Sequence, residues 1–463
     1  MFESAVEGLA AILNQISWVS ELAGILPLSA LIEFIDIPPK LHIYQLAGSA
    51  ALWNSPITPA GSRLLLSNDN PQYSQCYLDR HGNSISLLGL DGRYGTRYNV
   101  SSPETVRLCI KAHKAEVIEN VHENIKGDDL RLQNLDIIHV SRLQPNRRQL
   151  SRLSWFNFIF PRSPRMRLSH LFGWLILLAM IAMSVILRTY LSLAFLVLMP
   201  VTGGVVFALH GSNPRGLRVQ TPTKWNRLIL VAEHENTMDW IVFYGETTIL
   251  NSLINRPLKP LGSAQVPASS ILLRLLLRVL VLGQWALALG SAATKDWDAY
   301  FITFWISFCI FMQAYIMPPV TGAKEWMKSH AGIQIERYHT KLSSRRALLN
   351  TIIALNPDSF ELLPGEQQED HSKLSRDAMK WIDPILGTAS SRERWEKATL
   401  EAMNNSVKDG NREDEISRAE WDEEYAQDFW APFVIEGICM ANKIKKQANL
   451  PDRTNEDTRK MEV

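Results

Sequence analysis

The most suggestive local sequence in the chain is Glu233-His234-Glu235-Asn236-Thr237-Met238-Asp239, which gathers one imidazole and three carboxylates into seven residues. Such groups can act as general acids and bases, or as nitrogen and oxygen ligands for a divalent cation. The spacing is not that of a helical His-Glu-x-x-His zinc motif, because Met238 stands three residues past Glu235. The apolar run at 227–232 reads as a strand leading into this set. Glu233, His234, Glu235 and Asp239 are therefore the candidate catalytic residues. The competing reading is a polar turn that caps a helix starting near Asp239.

A second candidate is Arg274 with Arg278, four apart and hence on one helical face. They can hold a phosphate, a carboxylate or a lipid headgroup, or extend along an apolar helix toward water. Gln284 and Gln313 suit hydrogen bonds between helices. The glycine-rich run at 89–95 has neither dinucleotide nor P-loop spacing and reads as a turn. Cys76, Cys109, Cys309 and Cys439 show no Cys-x-x-Cys or Cys/His pattern. No metal and no cofactor is assigned.

The elements around these residues are dominated by uncharged stretches. Residues 168–187 and 189–209 are separated only by Arg188. Each matches the roughly 20 residues a helix needs to cross a hydrocarbon core. Residues 299–323 form a third such stretch. Residues 269–293 form a fourth if Arg274 and Arg278 reach the near interface. Proline and glycines at Pro200, Gly203 and Gly204 predict a kink or a close contact in the second stretch.

The chain's 48 basic and 47 acidic residues nearly cancel, which argues against a nucleic-acid binder. Their placement is uneven. Residues 142–167 carry seven arginines and no acid, whereas residues 1–39 contain no Lys or Arg. Basic residues also follow residues 209 and 323, so the positive-inside rule predicts four spans with both termini in the cytosol.

Residues 1–36 read as an amphipathic helical region, with Val6, Leu9, Ile12, Leu13, Ile16 and Val19 on one stripe. They are expected to pack on the following domain. Residues 40–140 read as a small cytosolic α+β domain. Its turn signals lie at 68–71, 81–83 and Asp91-Gly92, with a helix over 102–118 and a strand over 136–140. The helix pairs occupy 168–209 and 269–323, on either side of a cytosolic interlude at 211–265. Residues 324–463 are helical and polar, with a capping box at Ser390 and Glu393, a helix within 421–447, and loops at 365–373 and 408–415. The fold class is a mainly α membrane protein with about four transmembrane helices, an N-terminal α+β domain and a C-terminal helical region.

With the 227–232 strand, the Asp239–Glu246 segment and the Asp296-Trp297-Asp298-Ala299-Tyr300-Phe301 entry in view, the chain resembles fungal multi-span integral membrane proteins, most of them uncharacterised. The resemblance covers about 140–450. It implies fungal origin and a membrane location, and it assigns no catalytic residue. Some proteins of this sort sit in natural-product gene clusters. Three functions are ranked in order. The first is a membrane scaffold or accessory protein with partner proteins. The second is a membrane-embedded cyclase or isomerase acting on an apolar metabolite, and the third is a transporter. The lipid bilayer is a partner in each.

Overall fold

A computed structural model of the chain describes residues 15–31, 51–56, 86–92, 95–120, 132–143, 164–211, 214–217, 225–260, 269–356, 390–408 and 427–450, with scattered positions between them such as His42, Cys76 and Asp79. The arginine-rich stretch over 144–163, the turn signals at 68–71 and 81–83, and the loops at 365–373 and beyond 408 lie outside the described residues.

In chain order come helix α1 (Ser17–Leu31), strands β1 (Leu88–Asp91) and β2 (Arg97–Asn99), helix α2 (Pro103–Lys111), and strands β3 (Glu116–Val117) and β4 (Gln133–Arg142). Helices α3 (Pro164–Ile186) and α4 (Tyr190–Val206) precede strands β5 (Arg215–Gly216), β6 (Asn226–Ala232), β7 (Asp239–Glu246) and β8 (Lys259–Pro260). Helices α5 (Ser269–Thr294), α6 (Trp297–Phe311) and α7 (Pro319–Trp326) lead to strand β9 (Ile333–Leu342). Helices α8 (Arg345–Leu355), α9 (Ser390–Lys408) and α10 (Ala431–Gln447) follow.

These elements form two interleaved units. The first comprises Met1–Ser84, Gln144–Leu217 and Leu258–Gly332, and the second comprises Ile85–Leu143, Arg218–Pro257 and Ile333–Val463. The 40–140 domain read from the sequence is thus divided at residue 84. The sheet-bearing unit takes its remainder from the interlude and the C-terminal region.

The first unit is a helical bundle. Among the described residues four helices are long and apolar enough to cross a membrane: Arg167–Ile186, Tyr190–Leu209, Ile271–Thr294 and Trp297–Ile316. Each pair is joined by a tight turn in which one residue takes a left-handed conformation, Arg188 at φ 56° and Lys295 at φ 54°. The apolar stretch expected to reach residue 323 stops earlier. Two consecutive prolines, Pro318 and Pro319, remove backbone donors, and α7 begins afresh at Pro319. Leu177, Phe195, Leu196, Met199, Ala288, Ile302, Trp305, Ile306 and Cys309 fill the bundle core.

Helix α1 belongs to this bundle and packs on α5 and α6. Val19, Ala23, Pro27 and Ala30 form its buried face, while Trp18, Leu22, Ile25 and Leu28 are exposed. Both faces are therefore mainly apolar, which an amphipathic helix would not show. Its beginning lies at the α5/α6 turn. There Tyr300 Oη donates to the Val19 carbonyl at 2.6 Å, and Lys295 Nζ meets Glu21 at 3.0 Å.

The second unit is built on a seven-stranded mixed sheet of order β2-β1-β6-β7-β4-β9-β3. Strand β4 pairs parallel with β7 and antiparallel with β9 over ten residue pairs. Residue 239 opens strand β7 rather than a helix, because Trp-Ile-Val-Phe-Tyr is β-branched and aromatic and pairs on both edges. The helix expected over 102–118 ends at Lys111, and Glu116–Val117 joins the sheet beside β9. Helices α8 and α10 carry Leu348, Ile352, Val434 and Ile438 into the main core, against Leu135, Ile137, Leu228 and Val242. Glu436, fully buried between them, accepts hydrogen bonds from Asn120 Nδ2 at 2.7 Å and Ser343 N at 2.9 Å.

Candidate functional site

The carboxylate set occupies the turn between β6 and β7. Strand β6 runs Asn226–Ala232 and its last five residues are buried, so Glu233 is the first side chain to emerge from the sheet. The turn is closed by Thr237 N donating to the His234 carbonyl at 3.2 Å. Asp239 N donates to Thr237 Oγ1 at 3.1 Å, and Trp240 Nε1 donates to the Thr237 carbonyl at 3.0 Å. Glu233, His234 and Asp239 are exposed and Glu235 is half-buried.

The side chains do not converge. Glu233 faces Arg107 of α2 at 3.6 Å. Glu235 pairs with Arg97 of β2, and its backbone carbonyl accepts from Arg345 at the start of α8. Asp239 accepts from Asn134 Nδ2 of β4 at 2.7 Å. Arg345 also donates to Asn236 at 3.3 Å and lies 5.6 Å over the Trp240 ring. Glu233, Glu235 and Asp239 are thereby tied to different elements, and the turn works as a clasp on α2, α8, β2 and β4. Beside it Leu88, Leu90, Arg97, Leu230, Ala232, Glu235 and Trp240 line a cleft of about 10 Å³. That is space for about one water molecule.

Arg274 is half-buried and Arg278 exposed on the first turns of α5. Neither is enclosed, as a built anion pocket would require.

The structure brings together other polar groups that spacing could not. Across β4 and β9, Asp136 accepts from Arg337 Nη2 at 2.7 Å and lies 2.8 Å from His339 Nδ1, its cross-strand partner. Only the pairing of strands about 200 residues apart in sequence creates this set. In the same unit Glu246 receives Arg142 Nη2 at 3.0 Å, Thr223 N at 2.9 Å and Thr248 Oγ1 at 2.5 Å. Burial pushes its carboxyl up, but these donors outweigh burial and hold it below the ordinary carboxylate value.

Within the bundle, residues 51–56 form a non-helical segment that is nearly all buried. Gln284 Nε2 donates to the Ser55 carbonyl at 3.2 Å and to Thr202 Oγ1 at 3.0 Å. Asn54 Nδ2 donates to the Cys309 carbonyl at 3.3 Å. Glycines make room for the segment: a β-carbon on Gly173 would fall 2.1 Å from the Trp53 ring, and one on Gly203 would fall 2.3 Å from the Leu52 carbonyl oxygen. The expected interhelical role of Gln284 is seen here. Trp53 packs edge-on to Trp305 with ring centroids 6.1 Å apart. Apolar helices cannot leave such groups unpaired, and Gln284, Thr202 and Asn54 each find a partner in the set.

No protein-family model, no curated protein and no solved structure matches the chain.

Proposed function

We propose that the protein is a multi-pass membrane scaffold, in which a helical membrane body carries a cytosolic mixed-sheet domain that binds partner proteins. The single observation that carries the scaffold reading is the engagement of the β6/β7 carboxylates with separate elements beside a cleft of about 10 Å³. Substrate pockets are ordinarily some 300–1,000 Å³, so a metabolite has no place at this turn.

The membrane reading rests on the exterior of the bundle. Leu168, Leu175 and Leu178 on α3 are 60–70% exposed, and Ile271, Leu272 and Leu282 on α5 are 61–77% exposed. Exposed apolar side chains of that kind are suited to lipid rather than water. The basic residues that flank the long helices, before residue 168, within 211–265 and after 323, support a cytosolic side for those segments.

Helix α1 adds a fifth crossing to the four expected. It starts beside Lys295 and Tyr300, at the non-cytosolic turn, and the chain then reaches Ile43, which lies against Gly322 after the fourth long helix. Fifteen helical residues span about 22 Å of a hydrocarbon core near 30 Å. The absence of Lys and Arg from residues 1–39 agrees with this. On this reading the segment before α1 faces away from the cytosol, in place of the cytosolic side expected for it. Thr202, Gln284 and Cys309 stand ten to twelve residues from their non-cytosolic helix ends, or about 15–18 Å. Residues 51–56 are then a re-entrant segment near the midplane, tolerated because protein surrounds them.

The test is metabolite profiling of a deletion strain complemented with the E235Q/D239N variant. Restoration of the wild-type profile is expected. A stably inserted variant that loses a product restored by the wild-type chain would return the turn to catalysis, since acid/base groups contribute about 10²- to 10⁴-fold.

A further inference from the structure

In the helical unit three side chains of different donor chemistry meet. The imidazole nitrogen of His42, Sγ of Cys76 and a carboxylate oxygen of Asp79 lie within 4.8 Å of one another. His42 Nε2 is 3.9 Å from Asp79 Oδ2, longer than a hydrogen bond. His42 and Cys76 are no more than 1% exposed, and the Asp79 side chain is fully buried. Arg215, 2% exposed, lies within electrostatic reach of His42 and belongs to the same buried charge set. Its Nη1 donates to the Leu258 carbonyl at 3.3 Å, and its own carbonyl accepts Trp326 Nε1 at 2.7 Å.

We propose that His42, Cys76 and Asp79 bind one zinc-class divalent cation, with a fourth position for water or an anion. Thiolate with imidazole and carboxylate selects zinc over magnesium or calcium, which take oxygen ligands. Zinc bonds of about 2.0–2.3 Å put tetrahedral donors roughly 3.3–3.8 Å apart, so the observed spacing needs a contraction of about 1.5 Å at most. Binding releases the Cys76 thiol proton and forms the metal–sulfur bond. Thiolate and carboxylate then balance the divalent charge, and Arg215 leaves one positive charge that favours hydroxide or an anionic ligand at the open position. The order of the residues in sequence hides the site, because His42 and Cys76 are 34 positions apart in a stretch without a ligand motif. This inference does not depend on the scaffold reading.

The test uses full-length protein in detergent, stripped by chelator and titrated with Co²⁺. A tetrahedral site holding Cys76 gives visible d–d bands and a thiolate-to-cobalt charge-transfer absorption, which zinc abolishes. C76A is expected to lose the charge-transfer band, and H42A to weaken Co²⁺ binding by about 10-fold or more. The C109A/C309A/C439A variant, with Cys76 as its only cysteine, is expected to keep the band. Protein purified without chelator is expected to hold about one zinc per chain. Absence of the absorption from wild-type protein, or its persistence in C76A, would overturn the site.

Discussion

Gly203 of α4 and Leu52 of the buried 51–56 segment touch backbone to backbone: a β-carbon on Gly203 would stand 2.3 Å from the Leu52 carbonyl oxygen. Neighbouring Gly204 has nothing within 4 Å of the same position. One substitution in two adjacent places therefore separates packing from helix propensity. G203A must displace the 51–56 backbone and is expected to cost about 1–3 kcal/mol as an overpacked site. G204A is expected to be neutral or stabilising by at most about 1 kcal/mol. Thermal unfolding of the two variants in the same detergent checks this. Equal melting temperatures would remove the segment from the bundle interior.

Arg274 lies near the beginning of α5 and is half-buried. Its expected role is to carry charge from an apolar helix to the interface. R274L should insert normally and seat the helix deeper, since a central arginine costs roughly 2.5–3.5 kcal/mol on insertion scales. Extraction and cysteine-accessibility assays measure both. A variant that inserts normally but alters the metabolite profile would point to an anion site.

Glu246 carries the pH dependence of the sheet domain that its geometry dictates. Its folded carboxyl lies below the ordinary value of 4.5, held there by Thr248, Thr223 N and Arg142 against burial. The unfolded chain thus takes up the proton first as pH falls. Stability from this group is present above about 4.5 and is lost as pH drops through the lowered folded value. E246Q is expected to cost on the order of 1–3 kcal/mol at neutral pH and to flatten the acid limb of the unfolding curve. Chemical denaturation at several pH values reads both.

Much of the helical unit was legible because long uncharged runs have one physical solution, a helix with all its backbone bonds internal. The turn at Arg188 is visible as the single charge between two such runs, and the turn at Lys295 as a short cluster with Asp296 and Asp298. Residues 51–56 were not legible: Ala-Leu-Trp-Asn-Ser-Pro has no period, and its place depends on glycines at 173 and 203, more than a hundred residues away. In the sheet, β6 follows from Leu-Ile-Leu-Val, but β7 was read as the start of a helix because Asp239 after a polar turn resembles a cap. The parallel pairing with β4 that decides it is non-local. The candidate carboxylates were located on the correct turn. Whether they converge depends on Arg97, Arg107, Asn134 and Arg345, which four other elements deliver.

The central claim is topological, and engineered glycosylation tests it most directly. One acceptor tag is placed ahead of α1 and another after α10, in separate full-length chains expressed in microsomes. The account expects efficient modification of the first tag and none of the second, with the first lost when its acceptor asparagine is replaced. An unmodified tag ahead of α1, together with protease sensitivity of that segment from the cytosolic side, would contradict the fifth crossing.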